Sequence, residues 1–148
     1  MTLFISYGMT RSGSTLAFET EKAILEKYGM SQEKIMIEGL ENWIENYLPE
    51  KYLSDINSLK KINEKTSANF VVFKTHGAAN EKLLNFIRKF KIPVTISVRD
   101  PKDIAISLLE ISKKNRSINE TGFINIISFK DALKNIEEDL WRLETWRP

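Results

Sequence analysis

The sequence predicts an α/β fold in which helices cover both faces of a parallel β-sheet. Short apolar runs at residues 3–7 and 70–73 have the character of buried strands, and alternating apolar and polar residues at 94–98 predict a third strand. Segments with helical periodicity lie between these strands. Parallel strands need long crossover connections, which are usually helices, so this alternation favours a parallel sheet over an antiparallel one. Because 148 residues suit one domain, we expect residues 1–148 to form a single three-layer α/β/α domain.

The first part of the chain is predicted to contain one strand followed by helices. Residues 3–7 form the strand, and the helix after it runs from about Ser14 to Tyr28 and stops at Gly29, a residue type that commonly ends helices. Apolar residues at helical spacing predict a further helix on each side of Pro49, the second of them weaker. These apolar positions are Leu40, Trp43, Ile44, Tyr47 and Leu48 before the proline, and Leu53, Ile56 and Leu59 after it.

The rest of the chain continues the alternation of strands and helices. A helix follows the strand at 70–73, and the strand at 94–98 leads to a helix with Asp100 as its N-cap and Pro101 at its first position. Residues 113–122 are polar and predict a loop, after which residues 129–143 form a final amphipathic helix. The apolar stripes of these helices are Leu83, Leu84, Ile87 and Phe90; Ile104, Ala105, Leu108 and Ile111; and Phe129, Leu133, Ile136, Leu140 and Leu143.

The composition excludes several classes of function. With 22 basic and 20 acidic residues, the net charge of +2 predicts neither nucleic acid nor a membrane as a partner. The chain has no cysteine, which excludes disulfides, a thiolate nucleophile and a cysteine-ligated metal. Since the sequence shows no signal peptide and no apolar run near the roughly 20 residues that span a bilayer, we expect a cytoplasmic protein.

A glycine-bracketed loop follows the first predicted strand. The spacing Gly8-x4-Gly13-Ser14-Thr15 is that of a phosphate-binding loop, in which backbone N–H groups and a helix N-terminus face the anion. Ser14 occupies the place of the lysine that nucleoside-triphosphate loops carry, and the nearest cation is Arg11. The loop therefore suits a phosphate group without the usual Mg-ATP chemistry. The alternative is a plain βα turn that uses glycine only for its geometry.

Lys74, Thr75 and His76 follow the second predicted strand. His76 is the only histidine of the chain, and an imidazole can take a proton from a hydroxyl group near neutral pH. Lys74 precedes it by two residues and so points to the same side of an extended chain. This base and this cation could activate an alcohol and stabilise a leaving oxygen. The alternative is a surface histidine, unless the first two strands are neighbours and His76 faces the phosphate loop.

Arg99 and Ser107 follow the third predicted strand, with Ser107 about two helical turns beyond Pro101. A guanidinium and a hydroxyl group there could hold a second phosphate, away from the first loop. The alternative is a solvent-facing arginine beside a capped helix, and the spacing leaves both open. Because ligands of open parallel sheets bind outside the carboxyl ends of the strands, all three segments are candidates for one site.

Taken together, the three segments resemble the sulfotransferase family that uses 3′-phosphoadenosine 5′-phosphosulfate (PAPS). Residues 7–15, Tyr-Gly-Met-Thr-Arg-Ser-Gly-Ser-Thr, are similar to its 5′-phosphosulfate loop, and residues 98–107, Val-Arg-Asp-Pro-Lys-Asp-Ile-Ala-Ile-Ser, are similar to its 3′-phosphate motif. Residues 73–76, Phe-Lys-Thr-His, resemble the lysine-threonine-histidine segment of the cytosolic-type branch. The resemblance spans residues 3 to about 110. It implies a P-loop fold and a transferase that needs no metal.

The resemblance also implies a role for each candidate residue. His76 would deprotonate the acceptor hydroxyl, Lys74 would assist it, and Arg11 would contact the bridging oxygen of the donor. PAPS would be the co-substrate, held by Arg11, Ser12, Gly13, Ser14 and Thr15 around the 5′-phosphate and by Arg99 and Ser107 around the 3′-phosphate. The acceptor would be a small molecule or glycan with a hydroxyl group. Trp43 and Tyr47 fall in the acceptor region of the family, although aromatics at helical spacing are also typical of a core.

The sequence departs from the family pattern in ways that keep other functions open. Arg11 stands where many members carry lysine, and it keeps the charge but protonates a leaving group less readily. Members of the family continue beyond the position of Pro148 into another strand and a segment that closes over the donor, so we expect the C-terminal part of the fold to be missing. The chain would then be a truncated gene product, a fragment or a reduced member of the family. The competing hypotheses are a P-loop nucleotide or small-molecule kinase, which Ser14 disfavours, and a non-catalytic nucleotide-binding module.

Overall fold

The computed structural model of the chain describes residues 2–32, 47–65 and 70–147. Its strands are β1 (Thr2–Gly8), β2 (Phe70–Thr75) and β3 (Val94–Ser97). Its helices are α1 (Ser14–Lys27), α2 (Glu50–Leu53), α3 (Ile56–Lys65), α4 (Glu81–Phe90), α5 (Pro101–Ser117) and α6 (Phe129–Thr145). Within these residues, no helix has both the length and the apolar character needed to cross a membrane.

The three strands of the described part form one parallel sheet in the order β2-β1-β3. The register places Tyr7 of β1 beside Thr75 of β2, and Gly8 beside Ser97 of β3. The predicted α/β class is therefore confirmed. Because β1 is the central strand, its carboxyl end lies between the carboxyl ends of the other two.

Successive residues along the strands face different helices, as the twofold alternation of a strand requires. On one face, Leu3, Ile5, Tyr7, Val71 and Phe73 belong to a buried cluster with Leu83 and Phe86 of α4 and Leu53 of α2. On the other face, Phe4, Phe70 and Val72 pack with Phe18 of α1. Helices thus cover both faces of β1 and β2, which explains why these two strands read as nearly continuous apolar runs. The third strand, β3, alternates apolar and polar residues and has no buried residue.

A separate cluster attaches α5 and α6 to the loop that follows β1. Met9, directly after β1, is buried with Ile104 and Leu108 of α5 and with Ala132 and Ile136 of α6. Burial of Met9 anchors the start of the loop to these two helices. The loop is therefore fixed by apolar packing at its first residue rather than by its glycines alone.

The predicted loop at 113–122 is wrong in its first half, because α5 continues to Ser117. Lys113 and Lys114 lie on the solvent side of the helix, where an amphipathic helix carries polar residues. Lys114 and Arg116 also lie in the last turn, where basic side chains interact favourably with the helix dipole. The helix ends where Asn119 adopts a φ of 57° and the N–H of Glu120 donates to the carbonyl of Asn115.

Other predicted boundaries also differ from the structure. The strand predicted at 70–73 continues through Lys74 to Thr75, and α1 ends at Lys27. The helix predicted over Leu53, Ile56 and Leu59 is divided into α2 and α3.

Tyr47 and Leu48 are not helical: Tyr47 forms a bridge beside Lys74 of β2, and the N–H of Leu48 donates to the Lys74 carbonyl at 2.8 Å. The other residues of that predicted stripe, Leu40, Trp43 and Ile44, lie outside the described residues. The strand predicted at 94–98 ends at Ser97, so Arg99 lies two residues beyond it.

Candidate functional site

The carboxyl ends of the described strands bring the three predicted segments to one edge of the sheet. The loop after β1 lies between the segment that begins at His76 and the segment that leads into α5, because β1 pairs with both β2 and β3. The first two strands are neighbours, which was the condition for His76 to face the loop. The sequence motifs, far apart in the chain, therefore meet in space.

Close packing at Gly8 and left-handed backbone at two further residues shape the loop. A Cβ atom on Gly8 would overlap Ser97 Oγ and would lie 2.5 Å from the Cβ atom of Ser14, so a larger residue does not fit. Arg11 has a φ of 62° and Gly13 a φ of 89°. A glycine is well suited to the second of these positions, since it carries no steric penalty for positive φ.

Helix α1 begins at this loop with Gly13 as its N-cap residue. Among the described residues, no side chain accepts a hydrogen bond from the N–H groups of its first turn. Ser14 is buried at the first helical position, and Thr15 beside it is exposed. Uncapped N–H groups and the positive end of the helix dipole together favour a bound anion.

Arg11 connects the loop to α5. Its Nε donates a hydrogen bond to Ser107 Oγ at 3.1 Å. The predicted position of Ser107, away from the first loop, is wrong: Ser107 contacts Arg11 of that loop directly, because β3 is adjacent to β1 and α5 starts soon after β3. Arg99 lies just before α5, with its Nε 3.6 Å from Asp103 Oδ2.

Lys74 connects β2 to the start of α1. Its Nζ lies 2.6 Å from Thr15 Oγ1, to which it donates a hydrogen bond. The pKa of Lys74 is lowered, mainly because burial penalises the charged amine, and the nearby Glu19 carboxylate opposes this shift. The amine is therefore a cation that gives up its proton more readily than an ordinary lysine.

His76 is held by the main chain of the central strand. Its Nδ1 makes a short contact with the carbonyl oxygen of Gly8. A carbonyl oxygen can only accept, so Nδ1 carries the proton and Nε2 retains its lone pair. The pKa of His76 is lowered, mainly by burial; the Gly8 carbonyl and Asp139 raise it, whereas Lys74 and Arg142 lower it. A neutral imidazole is the form that acts as a general base.

The C-terminal end of α6 supports the segment that contains His76. Trp146 Nε1 donates a hydrogen bond to the carbonyl oxygen of Gly77 at 2.9 Å, and its ring stacks on Tyr7 with the ring centroids 5.1 Å apart. This support was not predicted from the sequence. The one available signal was a tryptophan close to the end of an amphipathic stripe, which indicates burial but not the partner.

These groups line a cleft of about 430 Å³, which we call the loop cleft. Every predicted site residue except Ser12 lines it, and Thr10, Leu16 and Phe123 complete the lining. The Ser12 hydroxyl lies instead 3.2 Å from Ser97 Oγ and ties the loop to β3. All lining residues belong to the described part of the chain, and none of them carries a carboxylate, whereas three carry a cation.

Phe123 is a lining residue that the sequence analysis did not identify. It has a φ of 61° and lies between α5 and α6. Arg116 holds this segment from α5, since its Nη1 donates to the carbonyl oxygens of Ile124 and Ile126 at 2.9 and 3.3 Å. Nothing in the local sequence pattern placed this segment next to the loop.

A further cleft of about 400 Å³, which we call the Tyr47 cleft, adjoins the loop cleft at Thr10, His76 and Phe123. The rest of its lining consists of Tyr47, Pro49, Glu50, Gly77, Asp139 and Arg142. The Tyr47 ring lies 5.7 Å from the His76 ring, centroid to centroid. Trp43, the other aromatic considered for an acceptor region, lies outside the described residues. His76 is thus shared by an electropositive cleft and a mixed, partly aromatic one.

Comparisons with protein-family models, with curated proteins and with solved structures found no match. What the site can bind must therefore be inferred from its own residues. Cations on Arg11, Lys74 and Arg99 beside an uncapped helix start suit a ligand with several anionic groups. Among the described residues, no group of three or more His, Asp or Glu side chains is arranged to hold a metal ion.

Proposed function

We propose that the chain is a sulfotransferase that transfers a sulfuryl group from PAPS to a hydroxyl acceptor. The observation that carries the proposal is the position of His76, a neutral imidazole with a proton-accepting Nε2 that lines both the electropositive loop cleft and the adjoining Tyr47 cleft. The resemblance of the three segments to PAPS-dependent sulfotransferases supports the same assignment.

The loop cleft suits the nucleotide because the cations of the cleft come from three separate segments of the chain. Arg11 and the start of α1 would hold the 5′-phosphate, and Arg99 with Ser107 would hold the 3′-phosphate. When bound, PAPS supplies a sulfuryl group whose bond to the 5′-phosphate oxygen breaks, with the electron pair kept by that oxygen, as the acceptor oxygen bonds to sulfur. Transfers of this kind depend chiefly on positioning and on preorganised charge.

The acceptor would enter from the Tyr47 cleft, and its hydroxyl proton would pass to Nε2 of His76. Arg11 stabilises developing negative charge without giving up a proton, because a guanidinium stays protonated. Lys74, with its lowered pKa, is the better proton donor to a departing oxygen. Lys74 thereby compensates for arginine at the position where many sulfotransferases carry lysine.

The nucleotide part of the proposal is tested by calorimetry with adenosine 3′,5′-bisphosphate, AMP and ATP, each with and without Mg²⁺. We expect the bisphosphate to bind most tightly and independently of the metal, because it alone places one anion at each arginine. Tighter binding of ATP in the presence of Mg²⁺ would favour a kinase instead.

The catalytic part is tested by sulfate transfer from PAPS to a panel of alcohols and phenols, comparing the wild type with His76→Asn. An asparagine side chain can still donate to the Gly8 carbonyl but is not a base, so it separates positioning from proton transfer. We expect transfer to be lost while affinity for the bisphosphate is retained. If the wild type binds the nucleotide but transfers nothing, a non-catalytic binding module is the better description.

A further inference from the structure

The Tyr47 cleft has a charge character opposite to that of the loop cleft. Its cation, Arg142, is surrounded by carboxylates, with Nη1 3.1 Å from Asp139, Nε 3.6 Å from Glu50 and Nη2 3.9 Å from Glu138. The guanidinium charge is therefore more than neutralised by its own neighbours. An anionic ligand entering this cleft would meet an excess of negative charge.

The carboxylates around Arg142 are not equivalent. Asp139 is 3% exposed, and its two oxygens accept hydrogen bonds from the Thr10 N–H at 2.8 Å and from Arg142, so its role is to hold the fold. Glu50 is 49% exposed and lines the cleft, and its Oε2 lies 3.6 Å from Arg142 Nε. At that distance the carboxylate oxygens can still accept hydrogen bonds from a ligand. Glu138 is similarly exposed but is not among the lining residues.

The remaining walls of the cleft are aromatic or apolar. Tyr47 and Phe123 are aromatic residues of its lining, and Pro49, which precedes Glu50 in the chain, is apolar. Aromatic faces attract cations through their quadrupole, and a carboxylate beside them strengthens that preference. A cavity of about 400 Å³ is within the range that small organic ligands occupy.

We infer that the Tyr47 cleft selects hydroxyl compounds that carry a protonated amine, with Glu50 as the residue that recognises the ammonium group. This inference rests on the proposed function only in assigning the acceptor hydroxyl to His76. The preference for a cation depends on the cleft alone. It can therefore be measured as binding, without nucleotide and without turnover.

The test uses matched phenols that differ in the charge of the para substituent. Tyramine is cationic near neutral pH, 4-propylphenol is neutral, and 3-(4-hydroxyphenyl)propionate is anionic. By ligand-observed NMR on the full chain at low salt, we expect tyramine to bind about fivefold more tightly than 4-propylphenol, the gain of a partly exposed ion pair, and the propionate to bind most weakly. Raising the ionic strength should reduce the advantage of tyramine, because salt screens exposed pairs.

Variants assign the effect to Glu50. Glu50→Gln should remove the tyramine preference, whereas Glu138→Gln, which deletes a carboxylate near the same arginine but outside the lining, should retain it. Equal binding of all three phenols to the wild type, or an unchanged preference in Glu50→Gln, would overturn the inference. If the Glu50 variant does not fold, the order of affinities of the three phenols for the wild type, and its dependence on salt, still tests the preference of the cleft for a cation.

The inference and the proposed function fail separately. Glu50-dependent tyramine binding without binding of adenosine 3′,5′-bisphosphate would support the cation site and refute the sulfotransferase. Sulfation of 4-propylphenol and the propionate at least as efficiently as tyramine, together with nucleotide binding, would support the sulfotransferase and refute the cation site.

Discussion

Arg11 Nε donates a hydrogen bond to Ser107 Oγ across 3.1 Å, joining residues that are 96 positions apart in the chain. This contact merges the first and third sequence motifs into one cleft. Lys74, bonded to Thr15, brings the second motif to the same place. One ligand with more than one anionic group can therefore reach all three motifs, as a 3′-phosphorylated nucleotide requires.

Replacing Arg99 is expected to weaken binding of the bisphosphate nucleotide selectively. Arg99→Ala should reduce affinity for adenosine 3′,5′-bisphosphate by about 1.5 kcal/mol, slightly more than tenfold. This is the lower end of the range for a charged hydrogen bond, because the side chain is partly exposed. Affinity for AMP, which lacks the 3′-phosphate, should not change. Arg88→Ala, an exposed arginine on α4, is the charge-matched control. Equal losses for both nucleotides would argue against a 3′-phosphate contact.

The pH dependence of transfer should reflect the lowered pKa of His76. Burial lowers this pKa below the ordinary value of 6.5, so the base form predominates at neutral pH and the acid-side decline of kcat/KM should lie below pH 6.5. Besides burial, the groups that shift this pKa are the Gly8 carbonyl, Lys74, Asp139 and Arg142, and the titratable Tyr47 ring lies 5.7 Å from the imidazole. Because Lys74 lowers the pKa, Lys74→Gln should move the acid limb to higher pH. An acid limb centred well above pH 6.5 in the wild type would contradict the assignment.

Trp146→Phe should destabilise the fold through the segment next to His76. The variant keeps an aromatic ring against Tyr7 but removes the N–H that satisfies the buried carbonyl of Gly77. A loss of about 2 kcal/mol in the free energy of unfolding is expected for an unsatisfied buried acceptor. Urea denaturation measures it, with Trp141→Phe on the exposed face of α6 as the control. Equal stability of the two variants would show that the hydrogen bond does not support this segment.

Gly8 and Gly13 should tolerate alanine to different extents and for different reasons. Gly8→Ala places a methyl group against Ser97 Oγ and the Cβ atom of Ser14, and about 2–3 kcal/mol of destabilisation is expected from such overpacking. Gly13→Ala meets no atom within 4 Å but keeps a positive φ, for which about 1 kcal/mol is expected. Thermal unfolding in the presence and absence of the bisphosphate nucleotide measures both.

Combining Gly8→Ala with Ser97→Gly tests the packing explanation directly. Removing the Ser97 side chain should restore part of the lost stability, and the Ser14 contact should prevent full recovery. Simple additivity of the two changes would mean that the close approach of β1 and β3 is not the cause.

Helix caps and turns were predictable from the sequence, because they depend on residues that are neighbours in the chain. Asp100 does cap α5, since its Oδ1 accepts from the Lys102 N–H at 2.8 Å, and Gly29 does adopt a positive φ, of 79°, just after α1. The error at residues 113–117 has the same origin: a polar run on the outer face of a helix and a polar loop have the same composition, and local pattern does not separate them. The packing of α5 against α6 settles the difference.

The chemistry of the individual strand ends can be read from the chain alone, because a glycine turn, a helix cap and the alternation along a strand are set by contacts within a few residues. The order β2-β1-β3 cannot be read in this way, since strand pairing joins backbone groups that no local pattern relates. That order puts Arg11 against Ser107 and His76 against Gly8, and the packing of α6 creates the Tyr47 cleft. Long-range pairing and packing, which lower the free energy only once the whole core has assembled, turn three separate motifs into one site.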